Sequence, residues 1–152
     1  MTEDGARRRR YRRRLTPPDD DSGPDGPAAL VERYVQEALD DLPQPYAARI
    51  ENVVFVVRRE PGLRERASLG LRRGQSLYGL YQGLPLTVRG SGYGLPGYHM
   101  AMPDRISIFW LPLVRDFEDN GRLRRQVKKT VFHEIAHYFG MSDEDLRGTS
   151  VH

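Results

Sequence analysis

One amphipathic segment near the C-terminal end constrains the fold more than any other part of the sequence. Apolar residues recur there at the three- and four-residue spacing of an α-helix: Leu123, Val127, Val131, Ile135 and Tyr138. Asp119 can cap the start of this helix, and Gly140 can end it, because glycine readily takes the left-handed conformation that closes helices. The sequence therefore predicts one long helix over residues 122–139 with a single apolar face.

The same helix carries a His-Glu-x-x-His motif. Residues four apart share one face of a helix, so His133 and His137 can each give one nitrogen to a single metal ion. Glu134 lies about 100° around the helix, where it can reach a water molecule beside the metal without ligating the metal itself. The chain has four histidines in 152 residues, and chance gives such a motif in well under about 1% of chains of this kind. The motif predicts a zinc site with two histidine ligands and a general base.

A catalytic zinc ion needs a third protein ligand as well as an open position. The chain has no cysteine, so this ligand must be a histidine or a carboxylate. Gly140 permits a sharp turn after the helix, and Asp143 then lies ten residues after His133, at the third-ligand position of the H-E-x-x-H-x-x-G-x-x-[H/D] pattern. We expect Asp143 to be the third ligand, with Glu144 or His99 as alternatives.

These residues together predict hydrolysis of a peptide bond. Zinc would lower the pKa of a water molecule toward about 7. Glu134 would accept the proton of that water as it attacks a carbonyl, and would then deliver the proton to the leaving nitrogen. Tyr98, His99 and Tyr138 are candidate donors to the oxyanion, although packing or a surface position explains each of them better.

The rest of the folded part predicts one small sheet and a second long helix. The folded part begins near Pro27, and apolar residues at helical spacing over residues 30–42 indicate a first amphipathic helix that Pro43 ends. Residues 53–57 form a β-branched run that is typical of a strand buried on both faces. Residues 59–76 indicate a loop. Residues 78–88 indicate two short strands joined near Gln82 and Gly83, and residues 106–110 another strand, with Pro112 at its end or at an edge.

This order of elements predicts an α+β domain, in which a small mixed sheet packs against two main helices. The strand at residues 106–110 would pair with an extended peptide if it were the edge strand beside the cleft.

The first 26 residues differ in composition from the rest. Residues 7–14 hold seven arginines, and the segment that follows is acidic and rich in proline and glycine. We predict a disordered tail over 1–26 and one domain over 27–152. The arginines could contact a polyanion weakly. Without a long apolar run, the sequence predicts neither a membrane span nor a secretory signal, and we expect a cytoplasmic monomer.

The sequence resembles small bacterial metallopeptidases described as minimal zincins, formerly a domain of unknown function. The resemblance runs from about Leu30 to Leu146 and includes residues 77–86, 103–106 and 130–143. It implies a compact zincin-like α+β domain and a peptidase activity, without implying a substrate. It also places His133, Glu134 and His137 in the zinc motif and Asp143 at the acidic position after the glycine.

Two other functions fit parts of the pattern. One family of metal-dependent ribonucleases has a histidine pair and a third ligand at the same spacings, but usually has glycine where this chain has Glu134. A catalytically inactive metal-binding interaction module would not need that glutamate. The sequence therefore favours a zinc metallopeptidase, with a peptide or a flexible protein segment as substrate.

Overall fold

A computed structural model of the chain describes residues 15–16, 23–83, 104–142 and 144. The strands in this part are β1 (Leu15–Thr16), β2 (Val53–Arg58), β3 (Gly79–Gln82) and β4 (Asp104–Phe109). The helices are α1 (Pro27–Asp40), α2 (Gln44–Ala47), α3 (Leu63–Ser68), α4 (Trp110–Asp116) and α5 (Asn120–Tyr138).

The strands of the described residues form one mixed sheet in the order β1-β2-β4-β3. β2 is parallel to both β1 and β4, whereas β3 is antiparallel to β4. On the sheet, α1 lies against β2, and α5 lies against β3 and β4. The predicted α+β class, with a small mixed sheet packed against two main helices, is confirmed.

The core lies between the sheet and the two long helices. The strands contribute buried apolar side chains from one face of the sheet, including Phe55 and Ile106, which are opposite each other in the β2–β4 register. The helices contribute the apolar faces that the sequence predicts: Val31, Val35 and Leu39 from α1, and Leu123, Val127, Val131 and Ile135 from α5. Burying each of the larger side chains stabilises the fold by about 1.5–3 kcal/mol relative to leaving it exposed.

The strand that is buried on both faces is β4 and not β2. In β2, burial alternates: Val53, Phe55 and Val57 are buried, whereas the intervening side chains are half-buried. In β4, consecutive residues from Ile106 to Phe109 are all buried. The prediction of a doubly buried strand at 53–57 is therefore wrong, because only one set of alternating side chains of β2 is fully buried, on the face of the sheet that packs into the core.

Two short helices, α3 and α4, lie where the sequence predicts a loop and the end of a strand. The predicted loop over 59–76 contains α3, which Gly62 and Glu65 cap at its N-terminal end through a hydrogen bond of 3.0 Å between the Gly62 N–H and the Glu65 Oε1. Trp110 begins α4 instead of ending a strand, and Pro112 lies in the first turn of that helix. A proline is tolerated there because the first N–H groups of a helix have no intrahelical partner. The strand thus ends before Pro112, whereas the alternative of an edge strand is wrong, because β4 lies between β2 and β3.

The ends of α5 follow the prediction closely. Its N-cap is Asp119, whose side chain accepts a hydrogen bond of 2.9 Å from the Arg122 N–H. After Tyr138 and Phe139 the chain turns at Gly140, whose φ is +91°. This positive φ confirms the predicted role of the glycine as a helix terminator.

Part of the N-terminal segment belongs to the sheet. Leu15 and Thr16 pair in parallel with Phe55 and Val56, and both lie within the segment predicted as a tail. Residues 1–14 and 17–22 lie outside the described part, as does the second strand predicted between 84 and 88. Among the described helices, none is long and apolar enough to cross a membrane.

Candidate metal centre

The C-terminal half of α5 brings three metal-ligating side chains together. His133, Glu134 and His137 offer one ligand atom each, and these atoms lie within 4.8 Å of one another. The centroids of the two imidazole rings are 4.7 Å apart, with the ring planes at 83°. The four-residue spacing produces this arrangement because it places both histidines on one face of the helix.

The backbone beyond the helix orients one of the two imidazoles. After Gly140 the chain turns back, and the Met141 carbonyl oxygen lies 2.9 Å from Nδ1 of His137. An N–H at Nδ1 donates to this oxygen, which leaves the lone pair of Nε2 available for a metal ion. Two imidazoles on one face of a helix, one of them oriented by a backbone carbonyl, fit two of the ligand positions of zinc or a similar divalent ion, and the carboxylate of Glu134 lies beside them.

Glu134 lies at the contact between α5 and the sheet. It is buried, whereas the two histidines are half-buried. A Cβ atom added to Gly79 of β3 would lie 3.0 Å from Cγ of Glu134 and 2.7 Å from Cγ2 of Thr130. Only a glycine lets the backbone of β3 approach the helix this closely. Gly79 is not among the predicted site residues, although a glycine inside a strand indicates such a close approach.

The site opens into a cleft along β3. A cavity of about 360 Å³ lies between α5 and β3. On the side of α5 it is lined by His133, Glu134 and His137. On the side of β3 it is lined by Leu77, which precedes the strand, and by Gly79, Leu80 and Tyr81. Tyr81 is held in place at this wall, since its hydroxyl donates a hydrogen bond of 2.6 Å to Oδ2 of the buried Asp104. The side chains of His133, Glu134 and His137 therefore line the same cleft as strand β3.

The strand beside the cleft is the outermost strand of the sheet that the described residues form. β3 is the last strand of this sheet, and β4 lies between β2 and β3. The condition under which the strand at 106–110 would pair with a peptide is therefore not met. The Phe109 N–H donates to the Tyr78 carbonyl at 2.9 Å, which makes these two residues a hydrogen-bonded pair. Because such pairs alternate in antiparallel strands, the N–H and C=O groups of Gly79 and Tyr81 point away from β4.

The remaining predicted site residues are distributed differently. Asp143, His99, Tyr98 and His152 lie outside the described part of the chain. Glu144 is exposed, and it is not in the cluster of ligand atoms that the described residues form.

Tyr138, a candidate oxyanion donor in the sequence, is a core residue. Its side chain is buried, and its hydroxyl lies 3.3 Å from the Arg49 carbonyl oxygen and 3.4 Å from that of Glu51. The hydroxyl therefore ties the end of α5 to the segment before β2. The interpretation of Tyr138 as a packing residue fits these contacts.

Comparison with known proteins agrees with this geometry. Residues 50–151 match the protein family described as zincin-like metallopeptidase. The match covers more than half of the chain and includes β2, β3, β4 and the whole of α5. No curated protein matches the chain. A family match of this extent, on a chain whose long helix carries the His-Glu-x-x-His cluster, shows that the protein belongs to the zincin-like metallopeptidase family.

Proposed function

We propose that the protein is a zinc-dependent peptidase that hydrolyses peptide bonds with Glu134 as general base. The observation that carries this proposal is the cluster of His133, Glu134 and His137 in an open cleft beside a strand edge. The family match supports it, since the residues matched include the whole cluster.

Different residues of the chain would bind the metal and transfer the proton. His133 and His137 would hold zinc, with Asp143 as third ligand on the grounds of its spacing from His133. Bound zinc would polarise a carbonyl and lower the pKa of a water molecule. Glu134 would accept a proton from the attacking water and pass it to the leaving nitrogen. Its burial against Gly79 keeps the carboxylate in one place between the strand and the two histidines.

The position of β3 beside the cleft favours an extended peptide as substrate. The outward N–H and C=O groups of Gly79 can pair with a peptide backbone, as in strand addition. Gly79 is also the residue of β3 that contacts Glu134, so a peptide paired there passes the proposed base. A buried carboxylate at this position favours peptide hydrolysis over the ribonuclease alternative. Cytoplasmic location, a monomeric state and weak polyanion contact through the arginine-rich segment stay predictions from the sequence.

Replacing Glu134 separates metal binding from catalysis. In Glu134→Gln, the histidines are unchanged, so the purified protein should still bind about one zinc ion, while hydrolysis falls by at least about 100-fold. Zinc content is measured by elemental analysis and hydrolysis with a fluorogenic peptide library. Glu118→Gln, at an exposed position before α5, is the matched control and should retain full activity. An unchanged rate in Glu134→Gln would rule out the proposed base.

Replacing Asp143 tests the third ligand. Asp143→Ala should weaken zinc binding by at least about tenfold, because one of three protein ligands is lost. Affinity is measured by competition with a chromophoric chelator. The same measurement on Glu144→Ala and His99→Ala supplies the comparison. If Asp143→Ala binds zinc as tightly as the wild type and one of the other two variants does not, that residue is the third ligand.

A further inference from the structure

A second cavity continues the cleft beyond the start of β3. It has a volume of about 530 Å³ and lies among the segment at 60–63, the segment at 73–77 and the α4 helix. Leu77 lines both this cavity and the cleft of the metal centre. The second cavity is therefore the next space that an extended chain would reach after passing Glu134 in the direction of Leu77.

Arginines dominate the charge of this second cavity. Arg66, Arg73 and Arg115 line it, whereas Glu60 is the acidic residue of its lining. The three arginines come from α3, from the segment before β3 and from α4. A cavity built from three separate parts of the chain with this balance of charge attracts a carboxylate.

Backbone and hydroxyl contacts hold two of these arginines in place. Nη2 of Arg66 donates to the carbonyl oxygens of Arg72 at 3.0 Å and of Gln75 at 3.1 Å. Nη2 of Arg115 donates to Oγ of Ser76 at 3.1 Å. Carbonyl and hydroxyl groups orient a guanidinium without neutralising it. The charge of Arg66 is thus fixed in position beside the cavity, whereas Arg115 also lies beside the carboxylate of Asp116.

Of two nearby carboxylates, Glu65 pairs with an arginine outside the cavity and Asp116 pairs with Arg115. Glu65 is paired with Arg58, whose hydrogen bonds lower the pKa of the Glu65 carboxyl to about 2. Asp116 accepts a hydrogen bond of 2.7 Å from the Tyr78 hydroxyl, and its Oδ1 lies 3.6 Å from Nε of Arg115. Within the described residues, Arg66 and Arg73 have no carboxylate within 4.0 Å. Two of the three arginine charges therefore stay available.

Strand β3 determines which residue of a bound peptide reaches the arginines of the second cavity. Antiparallel pairing is the more stable arrangement for a peptide that pairs with the outward groups of Gly79, and it would run the peptide toward Leu77. The cavity lining includes Gln75, Ser76 and Leu77, which lie two to four residues before Gly79. At about 3.3 Å per residue, this corresponds to about 7–13 Å from the position opposite Gly79. A side chain there follows the cleaved bond by two to four residues.

We propose that the cavity formed by Arg66, Arg73 and Arg115 is a specificity site for an acidic side chain, two to four residues to the C-terminal side of the cleaved peptide bond. The proposal rests on the proposed peptidase function. It defines the substrate class as peptides that are neutral around the cleaved bond and acidic shortly after it.

The test uses peptides that differ at one position only. A single glutamate is moved through each position of an otherwise neutral peptide, and glutamine at the same position is the control. Cleavage is measured with the zinc-loaded full chain, and binding is measured by fluorescence anisotropy with the Glu134→Gln protein. Glutamate two to four residues after the cleaved bond should bind about three- to tenfold more tightly than glutamine, as expected for one or two exposed ion pairs.

Substitutions at Arg73 test whether the cavity causes the preference for glutamate over glutamine. Arg73→Gln should remove most of this preference, and Arg73→Glu should make a lysine peptide the better ligand. Arg64→Gln is the matched control, because Arg64 is an exposed residue of α3 outside the cavity lining. Its preference should equal that of the wild type.

The outcomes separate this proposal from the proposed function. Equal binding of glutamate and glutamine peptides, a preference on the N-terminal side, or a preference that survives in Arg73→Gln would each overturn the specificity site while leaving peptidase activity in place. If no peptide is cleaved but the preference for glutamate depends on Arg73, the cavity is an acidic-peptide site and the peptidase function fails.

Discussion

Gly79 is a residue at which the sheet closely approaches the metal-binding helix. In Gly79→Ala, the new methyl group would overlap Cγ2 of Thr130 and crowd Cγ of Glu134. Because β3 must then move away from α5, we expect a loss of about 1–3 kcal/mol in the free energy of unfolding. Peptide hydrolysis should fall as well, since the same shift separates Glu134 from the strand. Urea denaturation and a peptide assay measure the two effects.

A second substitution checks that this contact is the cause. Thr130→Ser removes Cγ2 but keeps the hydroxyl, which donates a hydrogen bond of 2.8 Å to the Gln126 carbonyl. In the double variant Gly79→Ala with Thr130→Ser, part of the lost stability should return. A double variant whose losses simply add would show that the contact between Gly79 and Thr130 is not the source of the effect.

The metal-ligand candidates could be predicted from the sequence, but their neighbours in the sheet could not. His133, Glu134 and His137 lie within five residues, so helix geometry alone brings them together. The contact between Gly79 and Glu134, and the hydrogen bond between Tyr81 and Asp104, join segments that are distant in the sequence. Such contacts depend on strand order and register, which a single sequence does not fix.

At the scale of elements, the last turn of α5 connects helix termination to metal binding. The N–H groups of Gly140 and Met141 donate to the carbonyls of His137 and Ala136, and this closure places the Met141 carbonyl beside His137. In Gly140→Ala, the positive φ costs about 1–2 kcal/mol. We also expect about tenfold weaker zinc binding, because His137 loses its fixed hydrogen-bond acceptor. Denaturation and chelator competition measure the two quantities.

Gly70 provides a matched control for this prediction. It closes α3 in the same way, with a φ of +66° and with the N–H groups of Gly70 and Leu71 donating to the last turn of that helix. Gly70→Ala should therefore cost a similar free energy of unfolding and leave the zinc affinity unchanged. Equal zinc affinities in the two variants would show that closure of α5 does not orient His137.

Length determines which elements could be predicted from the sequence. The helices α1 and α5 run for 14 and 19 residues, long enough for their apolar period to identify them. The helices α3 and α4 have six and seven residues. In a helix of one or two turns, too few apolar residues recur for the helical period to be recognised in the sequence. Whether such a helix forms can then depend on a tertiary contact. For α3, this contact is the pair between Arg58 of β2 and Glu65.

At the scale of the whole molecule, the strand order separates the N-terminal segment from the metal centre. β1 lies at one edge of the sheet and β3 at the other, with β2 and β4 between them. The described site residues come from α5 and β3, and within the described part of the sheet neither element pairs with β1. The order thus predicts that the pairing of Leu15 and Thr16 with β2 contributes to stability but not to metal binding.

Two truncations test this separation. Removing residues 1–14 takes away the arginines but keeps β1, and we expect no change in the free energy of unfolding. Removing residues 1–22 also removes the hydrogen bonds between β1 and β2, each of which contributes about 0.5–1.5 kcal/mol, so stability should fall by about 1–2 kcal/mol. Zinc affinity should be the same in both truncated proteins and in the full chain. A weaker affinity in the 1–22 truncation alone would show that β1 acts on the metal centre through β2 and β4, because the same sheet connects both edges.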